Sequence, residues 1–263
     1  MFSRRAFLKG TSALALLGTG GCLSFSSQEH RTWKTDLGKR NTQNPQKIAV
    51  GGEKLYVIGS EGNATVLYSI NRTKGTVDWQ QPVPRSYSIT ADNSAVYTVV
   101  DPLSSNEAEI RSYSKAGDPR WTKTVPNTAP AVVGDDHVFI GGEAGIGAFR
   151  KSDGQTAWRY GSSVVAIAAD STRVYAGGEF GVAAWERQSG EEDWTTENEN
   201  NTTVYSKPSR LAFNHLILST DEGLKSYQTD TGELHCTFRG KITLSTLPLP
   251  RNKDMCGFSE EIH

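Results

Sequence analysis

A tryptophan-centred pattern returns along this chain at intervals of 36 to 46 residues. Its members are Trp33, Trp79, Trp121, Trp158 and Trp194, and Cys236 continues the series 42 residues after the last of them. A fixed period of this length indicates supersecondary units that are stacked or arranged radially. The repeat therefore constrains the fold more strongly than any other feature of the sequence.

The sequence before each of these positions predicts short β-strands. An apolar run such as Val174-Tyr175-Ala176 is followed by a turn, then by a second alternating run such as Val182-Ala183-Ala184-Trp185, and then by a turn that carries a glycine. A further short apolar run precedes this pair, which gives four strands per unit. Period-two alternation with tight Gly, Asn and Asp turns argues against helices. Four antiparallel strands about every 40 residues are typical of a β-propeller blade.

We therefore predict an all-β chain, a β-propeller of four-stranded antiparallel blades with five complete blades and an incomplete sixth. The complete blades are expected at residues 45–83, 86–125, 129–160, 164–196 and 206–238. Residues 242–249 and 255–258 have the pattern of a first and a second strand, and residues 31–35 that of a last strand with no blade before it. These terminal strands either meet in a defective sixth blade or leave a gap.

The repeats resemble those of pyrroloquinoline-quinone-type propellers, which run strand, Asp-x-Gly, strand, Thr-Gly-x-x-x-Trp. The resemblance is carried by segments such as 177–185, Gly-Gly-Glu-Phe-Gly-Val-Ala-Ala-Trp, and 231–236, Thr-Gly-Glu-Leu-His-Cys. It covers residues 33 to about 260 and implies the propeller fold. Propellers of this type include dehydrogenases, assembly-scaffold lipoproteins and sensor domains, so the resemblance implies no single activity.

The first 22 residues predict an export signal. Arg4 and Arg5 lie in a segment, Ser-Arg-Arg-Ala-Phe-Leu-Lys, that resembles the twin-arginine pattern. The following Thr-Gly-Gly-Cys resembles a lipobox, so we expect Cys22 to be lipidated and to become the new N-terminus; ordinary cleavage nearby, which would leave a secreted protein, is the alternative. Residues 23–31 are expected to form a polar tether and residues 32–263 an apparently truncated propeller, lipid-anchored on the extracytoplasmic face of the cell membrane.

Composition excludes several other classes of protein. The 28 Lys and Arg nearly balance the 29 Asp and Glu, so the chain presents no general field for nucleic acid. An apolar content of 36% is too high for a disordered chain, and no run of 18 apolar residues predicts a spanning helix. Three cysteines cannot build a disulfide scaffold. Cys236 and Cys256 either form one disulfide or are separately placed, with Cys236 buried at the tryptophan position.

We expect the five tryptophans to pack between blades rather than to stack on a ring ligand, because five equivalent packing sites fit a repeat better than five binding sites.

Acidic residues follow the second strands at Glu61, Asp101, Glu143, Glu179 and Asp221. Either they form a collar that binds cations or a basic partner, or they only cap their own turns. Sequons place possible glycosylation at Asn63, Asn71, Asn200 and Asn201. The glycine run 141–147 predicts a hairpin, not a nucleotide loop.

The sequence shows no catalytic, cofactor-binding or metal-binding constellation. The favoured function is therefore a noncatalytic, exported and membrane-anchored propeller that binds an unknown protein or cell-surface polymer, with the membrane reached through the lipid anchor only. The alternative is a relative of the quinoprotein dehydrogenases, whose family resemblance implies pyrroloquinoline quinone, calcium, adjacent cysteines and a longer chain. A nonfunctional fragment of a longer propeller is the third possibility.

Overall fold

A computed structural model describes Thr35, Leu37 and residues 47–61, 64–101, 107–126, 128–197, 202–212 and 214–239. In this part of the chain twenty β-strands form five four-stranded sheets, and in each sheet the strands are neighbours in chain order. Neighbouring strands in the sheets run antiparallel, as β1 and β2, β10 and β11, and β13 and β14 do. The expected all-β propeller of four-stranded blades is confirmed.

Each sheet is one blade, and the blades are numbered in chain order. Blades 1 and 2 consist of β1 (Lys47–Gly51), β2 (Lys54–Glu61), β3 (Ala64–Asn71), β4 (Val77–Val83), β5 (Arg85–Ala91), β6 (Ala95–Asp101), β7 (Glu107–Ser114) and β8 (Pro119–Pro126). Blades 3 and 4 consist of β9 (Thr128–Val133), β10 (His137–Gly142), β11 (Gly145–Arg150), β12 (Thr156–Tyr160), β13 (Val164–Ala169), β14 (Arg173–Gly178), β15 (Gly181–Glu186) and β16 (Glu192–Glu197). Blade 5 consists of β17 (Val204–Ala212), β18 (His215–Thr220), β19 (Gly223–Gln228) and β20 (Leu234–Phe238).

The five sheets begin and end within two residues of the predicted blades. The agreement arises because every blade is bounded by turns that the sequence marks with Gly, Asn, Asp or Pro. The expected strands at residues 242–249 and 255–258 lie outside the described residues, as do residues 31–34. The incomplete sixth blade therefore stays a prediction.

Burial differs between the inner and the outer strands of a blade. Every residue of β10 and all but the last residue of β15 are buried. Both strands are continuous buried runs rather than alternating ones. Continuous apolar runs are typical of strands that are covered on both faces. The fourth strands β4, β12 and β16 instead alternate between exposed and half-buried residues, which is the pattern of an outer edge strand.

The chain divides into two compact units. The first comprises Met1–Thr98 and Ser112–Arg120, and the second comprises Val99–Arg111 and Trp121–His263. In the first unit a core around Tyr56 and Leu67 joins blade 1 to strands of blade 2. A second cluster holds Leu37, whose carbonyl accepts a hydrogen bond of 3.0 Å from the Tyr68 hydroxyl. Leu37 is thereby held against blade 1.

Among the described residues of the second unit, two of the core clusters are each shared by two neighbouring blades. One joins blade 3 to blade 4 through Phe139, Ile146 and Trp185. The other joins blade 4 to blade 5 through Tyr175 and Leu216. The apolar residues of a blade are thus divided between the interface with the preceding blade and the interface with the following one.

Candidate binding surface

Tryptophans of the repeat series attach each blade to the next one. The indole Nε1 of each described member donates a hydrogen bond to a backbone carbonyl in the β-turn between the third and fourth strands of the following blade. The pairs are Trp79 to Lys115 at 2.7 Å, Trp121 to Lys151 at 2.9 Å, Trp158 to Arg187 at 3.0 Å and Trp194 to Thr229 at 2.9 Å. All four tryptophans are half-buried. Trp33 lies outside the described residues.

The same indole rings lie against a turn glycine of the following blade. Gly154 and Gly190 have φ of +73°, a left-handed conformation that side chains other than glycine rarely adopt. A Cβ added to Gly154 would lie 2.5 Å from Trp121, and one added to Gly190 would lie 2.5 Å from Trp158. The glycine is therefore required twice, once by the turn and once by the close approach of the ring.

Three features inside a blade hold the indole in place. The residue opposite the tryptophan on the third strand is small, as with Ala148 opposite Trp158. Beyond it on the second strand lies an aromatic ring, and the centroids of Phe139 and Trp158 are 5.8 Å apart. A shift of register directly before the tryptophan places one extra residue, Ala157, on the fourth strand. Such a β-bulge redirects the side chain that follows it.

The small residue and the aromatic ring beyond it recur in blade 1 as Ser69 and Tyr56 and in blade 4 as Ala184 and Tyr175. In blade 5 the small residue is Ser226, but Ile217 takes the place of the aromatic ring. In blade 5 the tryptophan is replaced by Cys236, which is opposite Ser226 and is disulfide-bonded. Cys22 and Cys256 both lie outside the described residues, so the pairing of Cys236 with Cys256 stays a prediction.

Sequence reasoning missed a set of cations that cap turns at the same end of the blade. In blades 3 and 4 the residue whose carbonyl accepts the indole N–H also donates from its own side chain to a carbonyl in the turn between the first two strands of its blade. Arg72 makes the equivalent side-chain bond in blade 1. Arg72 donates to Gly52 at 2.8 Å, Lys151 to Asp135 at 2.6 Å and Arg187 to Asp170 at 2.5 Å. In blade 5 the hydroxyl of Thr229 does the same to the Asn214 carbonyl at 3.0 Å.

Arg187 is the most deeply buried of these cations, with 3% of its side chain exposed. Its guanidinium also lies 3.3 Å from the carboxylate of Asp135 in blade 3. A buried cation is costly unless its donors are paired, so Arg187 needs both partners. Close by, burial lowers the pKa of His137, and the positive charge of Arg187 acts in the same direction. His137 is therefore held neutral at pH 7.

Three members of the expected acidic collar can be placed. Glu143, Glu179 and Asp221 are exposed in the turns between the second and third strands of blades 3, 4 and 5. Asp221 also accepts a hydrogen bond of 3.0 Å from the Thr203 backbone, which is the turn-capping alternative. The side chains of Glu61 and Asp101 lie outside the described residues, although their backbones end β2 and β6.

Among the described residues no group of three or more His, Cys, Asp and Glu is placed to hold a metal ion. The three cysteines are far apart in the sequence, so no adjacent pair exists either.

Most of the residues predicted for export, lipidation and glycosylation lie outside the part of the chain that the structure describes. Arg4, Arg5, Cys22, Asn63, Asn200 and Asn201 lie outside the described residues. Asn71 is the last residue of β3 rather than a turn residue, and its side-chain oxygen accepts hydrogen bonds from the backbone of Thr73 and Lys74 at 3.0 and 2.9 Å. No helix in the described part of the chain has the length and apolar character needed to cross a membrane.

Repeated sheets joined by a tryptophan and a turn glycine define the class of protein. The chain is a β-propeller built from PQQ-like repeats. The family model of the outer membrane protein assembly factor BamB matches residues 106–236, close to half of the chain. No curated protein matches the sequence.

Solved structures show the same fold at low sequence identity. BamB from Moraxella catarrhalis has a TM-score of 0.60 and 18% identity, with 74% of this chain and 61% of that chain covered. Hsv2 from Kluyvelomyces marxianus has a TM-score of 0.59 and 9% identity, covering 80% and 72%. Quinohemoprotein alcohol dehydrogenase from Comamonas testosteroni has a TM-score of 0.50 and 13% identity, covering 73% and 42%. The chain thus spans about three fifths of the length of the BamB that it matches.

Proposed function

We propose that this protein is an exported, membrane-anchored propeller that acts as a noncatalytic scaffold for binding another protein. The family model that matches half of its length describes an outer membrane assembly factor, and a BamB is among its structural neighbours. A propeller fold alone hosts many activities, so the proposal has to be supported by the surface of this chain.

The observation that carries the proposal is that the tryptophans of the repeat bind the turns of neighbouring blades. Each described tryptophan of the series is committed to the turn of the following blade, as Trp158 is to Arg187 and Gly190. The aromatic residues that a ring cofactor would need for stacking are therefore engaged in packing between blades. Exposed turns such as those of Glu143 and Glu179 are left for contact with a partner. A rigid framework with exposed turns is typical of a binding scaffold.

The export signal supports the cellular part of the proposal. The twin arginines, Arg4 and Arg5, precede a cysteine at position 22 that is preceded by two glycines. Two acyl chains on that cysteine would anchor the protein stably, because each buried methylene contributes about 0.8 kcal/mol. Replacing both arginines by lysine is expected to leave uncleaved precursor inside the cell. Continued export of that variant would contradict the twin-arginine route.

Site-specific photo-crosslinking in native membranes tests the scaffold. A photoreactive residue is placed at Glu143, in the turn between the second and third strands of blade 3. The matched position is Ser152, an exposed residue in the turn at the other end of the same blade. We expect a discrete protein adduct from at least one of the two positions. Absence of any adduct from both, with the protein folded and membrane-bound, would refute the proposal.

A separate assay tests the noncatalytic part. The purified chain is mixed with pyrroloquinoline quinone and Ca²⁺, and the absorbance of bound quinone and the reduction of an artificial dye are followed. We expect neither, because the described residues do not supply a calcium site. Turnover with an alcohol and a dye would show that the protein is a dehydrogenase.

A further inference from the structure

Blades 3 and 4 differ at one position in the hairpin between their second and third strands. The two hairpins read Gly-Gly-Glu-Ala-Gly and Gly-Gly-Glu-Phe-Gly, so Ala144 stands where blade 4 has Phe180. In blade 4 the ring of Phe180 lies 6.3 Å from that of Tyr160 and 6.4 Å from that of Trp185, both edge-on. An aromatic side chain thus fills the space beside the hairpin of blade 4.

In blade 3 the corresponding space is open. A small recess that is open to solvent lies there, beside Ala144 and the glycines of the hairpin. Its apolar walls are formed by Val125, Ile140, Ile146 and Phe149. A small, open apolar recess of this kind suits a small apolar group from outside rather than a large cofactor.

A second substitution enlarges the same cavity. Gly147 on β11 occupies the place of Ala183 in blade 4, and both face the fourth strand of their blades. A Cβ on Gly147 would lie 3.0 Å from the Phe149 ring and 3.6 Å from the Arg159 side chain. The missing methyl group therefore lets Arg159 approach the Phe149 ring.

Arg159 gives the cavity a charge. Its guanidinium carbon lies 5.7 Å from the centre of the Phe149 ring, and its side chain borders the cavity. Within the described part of the chain it has no carboxylate in ion-pair distance, whereas Arg150 and Arg173 each have one. Blade 4 has Thr195 at the equivalent position. The cation is thus available to a carboxylate from outside, with which a guanidinium makes strong paired hydrogen bonds.

We propose that this cavity binds an aromatic side chain from an acidic segment of the partner protein. The ring takes the place in blade 3 that Phe180 fills in blade 4, and a neighbouring carboxylate of the partner binds Arg159. This inference rests on the proposed scaffold function and adds the chemistry of the partner. Interface hot spots are typically composed of an aromatic anchor in an apolar pocket and an arginine that pairs with a carboxylate beside it.

A short peptide tests the cavity without knowledge of the partner. The probe is acetyl-Asp-Phe-Asp-amide, its control is acetyl-Asp-Ala-Asp-amide, and binding is followed by amide chemical shifts in the purified chain. We expect saturable binding of the phenylalanine peptide below about 10 mM, at least about tenfold tighter than that of the control. The shifts are expected at Ile146, Gly147 and Arg159. No saturable binding, or equal binding of both peptides, would overturn the inference.

Substitutions of the chain sharpen this result. Ala144→Phe is expected to fill the cavity and to weaken the peptide at least about tenfold. It is expected to fold, because the neighbouring blade already carries a phenylalanine there, and Ala144→Leu serves in the same way if it does not. Ser152→Phe is the matched control at the other end of the blade and should leave binding unchanged. Unchanged binding to a folded Ala144→Phe would also overturn the inference.

The charge is tested in the same assay. Arg159→Gln is expected to weaken the acidic peptide about three- to tenfold and to reduce the dependence of its binding on salt, since the exposed pair is screened by ions. Lys74→Gln removes an equal charge from an exposed turn of blade 1 and should have no effect. Equal behaviour of Arg159→Gln and Lys74→Gln would refute the role of Arg159.

The photo-crosslinking experiment separates this inference from the proposed function. If the wild-type chain gives an adduct that Ala144→Phe loses, both stand. An adduct of equal yield in the two proteins would keep the scaffold function and overturn the cavity as its partner site. Absence of adducts in the wild-type chain refutes the scaffold, whatever the peptide does.

Discussion

The attachment of one blade to the next can be measured at the contact between Trp158 and Gly190. Truncating a fully buried tryptophan to alanine costs about 3–5 kcal/mol, and for a half-buried ring we take about 2 kcal/mol. The lost hydrogen bond from the indole to the Arg187 carbonyl adds about 1 kcal/mol. Trp158→Ala is therefore expected to lower the free energy of unfolding by about 3 kcal/mol. Trp158→Phe keeps most of the ring packing and should cost about 1 kcal/mol.

The partner glycine provides the test of the reasoning. Gly190→Ala places a methyl group 2.5 Å from Trp158 in a residue whose φ is +73°. The left-handed conformation costs an alanine about 1–2 kcal/mol, and the collision with the indole adds to that. In a Trp158→Ala background the collision with the ring is removed, and of the close contacts with residue 158 only the one to its Cβ, at 3.0 Å, remains beside the backbone cost. The two substitutions are therefore expected to couple by about 1 kcal/mol or more.

Urea unfolding of the purified chain, followed by far-ultraviolet circular dichroism, measures all of these free energies. Gly161→Ala is the control for adding a methyl group, because a Cβ there has no atom within 4 Å. It should change the stability by less than about 0.5 kcal/mol. If Trp158→Ala and Gly190→Ala are additive within about 0.5 kcal/mol, the indole and the glycine do not act together and the reasoning fails.

Three further outcomes are expected. Cys22→Ser should move the protein from the membrane to the soluble extracytoplasmic fraction, because both acyl chains are lost together, and retention in the membrane would contradict lipidation. Burial alone would raise the pKa of Asp170, but hydrogen bonds from Tyr175 and the backbone hold it below its usual value. The ionised Asp170 carboxylate therefore stabilises the fold above its ordinary pKa of 3.8, and this stabilisation is lost as the pH falls through the lower pKa of the folded state. Asp170→Asn should flatten the loss of folding stability in acid, and an unchanged acid profile would count against this. Mass spectrometry of a non-reduced digest should find Cys236 joined to Cys256, and a free thiol at Cys256 would refute that pairing.

Much of the blade could be predicted because its information is local. The strands around Tyr175 and Val182 follow from alternation, and the turn before Trp194 follows from its glycine. Both signals act within about ten residues of the chain, where propensity and turn chemistry decide the outcome. The period of the tryptophans then gave the number of complete blades.

The contacts between blades could not be predicted in the same way. Trp158 and its acceptor Arg187 are 29 residues apart, and the direction of the indole N–H depends on a bulge that no residue type marks. The turn-capping role of Arg187 left a faint signal, because cations stand near the turn glycine in four blades. A single sequence offers no reason to distinguish such a capping cation from an exposed one.

The cavity of blade 3 was missed for a different reason. The glycine run that contains Gly145 and Gly147 forms the predicted hairpin between β10 and β11. The comparison of Ala144 with Phe180 was visible in the sequence, but its meaning depends on which side chains surround the two positions. Blade-by-blade comparison of side-chain volume is the signal that would have found it.

The contact between an indole and the next turn has a direction, and this direction bears on how such a chain can grow in evolution. Blades 2, 3 and 4 each supply an indole at the outer strand and a receiving turn at one end, as blade 4 does with Trp194 and Gly190. A duplicated blade would therefore arrive with a matching surface for either neighbour, like identical subunits in a head-to-tail assembly. Duplication or deletion of a whole blade would therefore leave an indole opposite a receiving turn at the new junction.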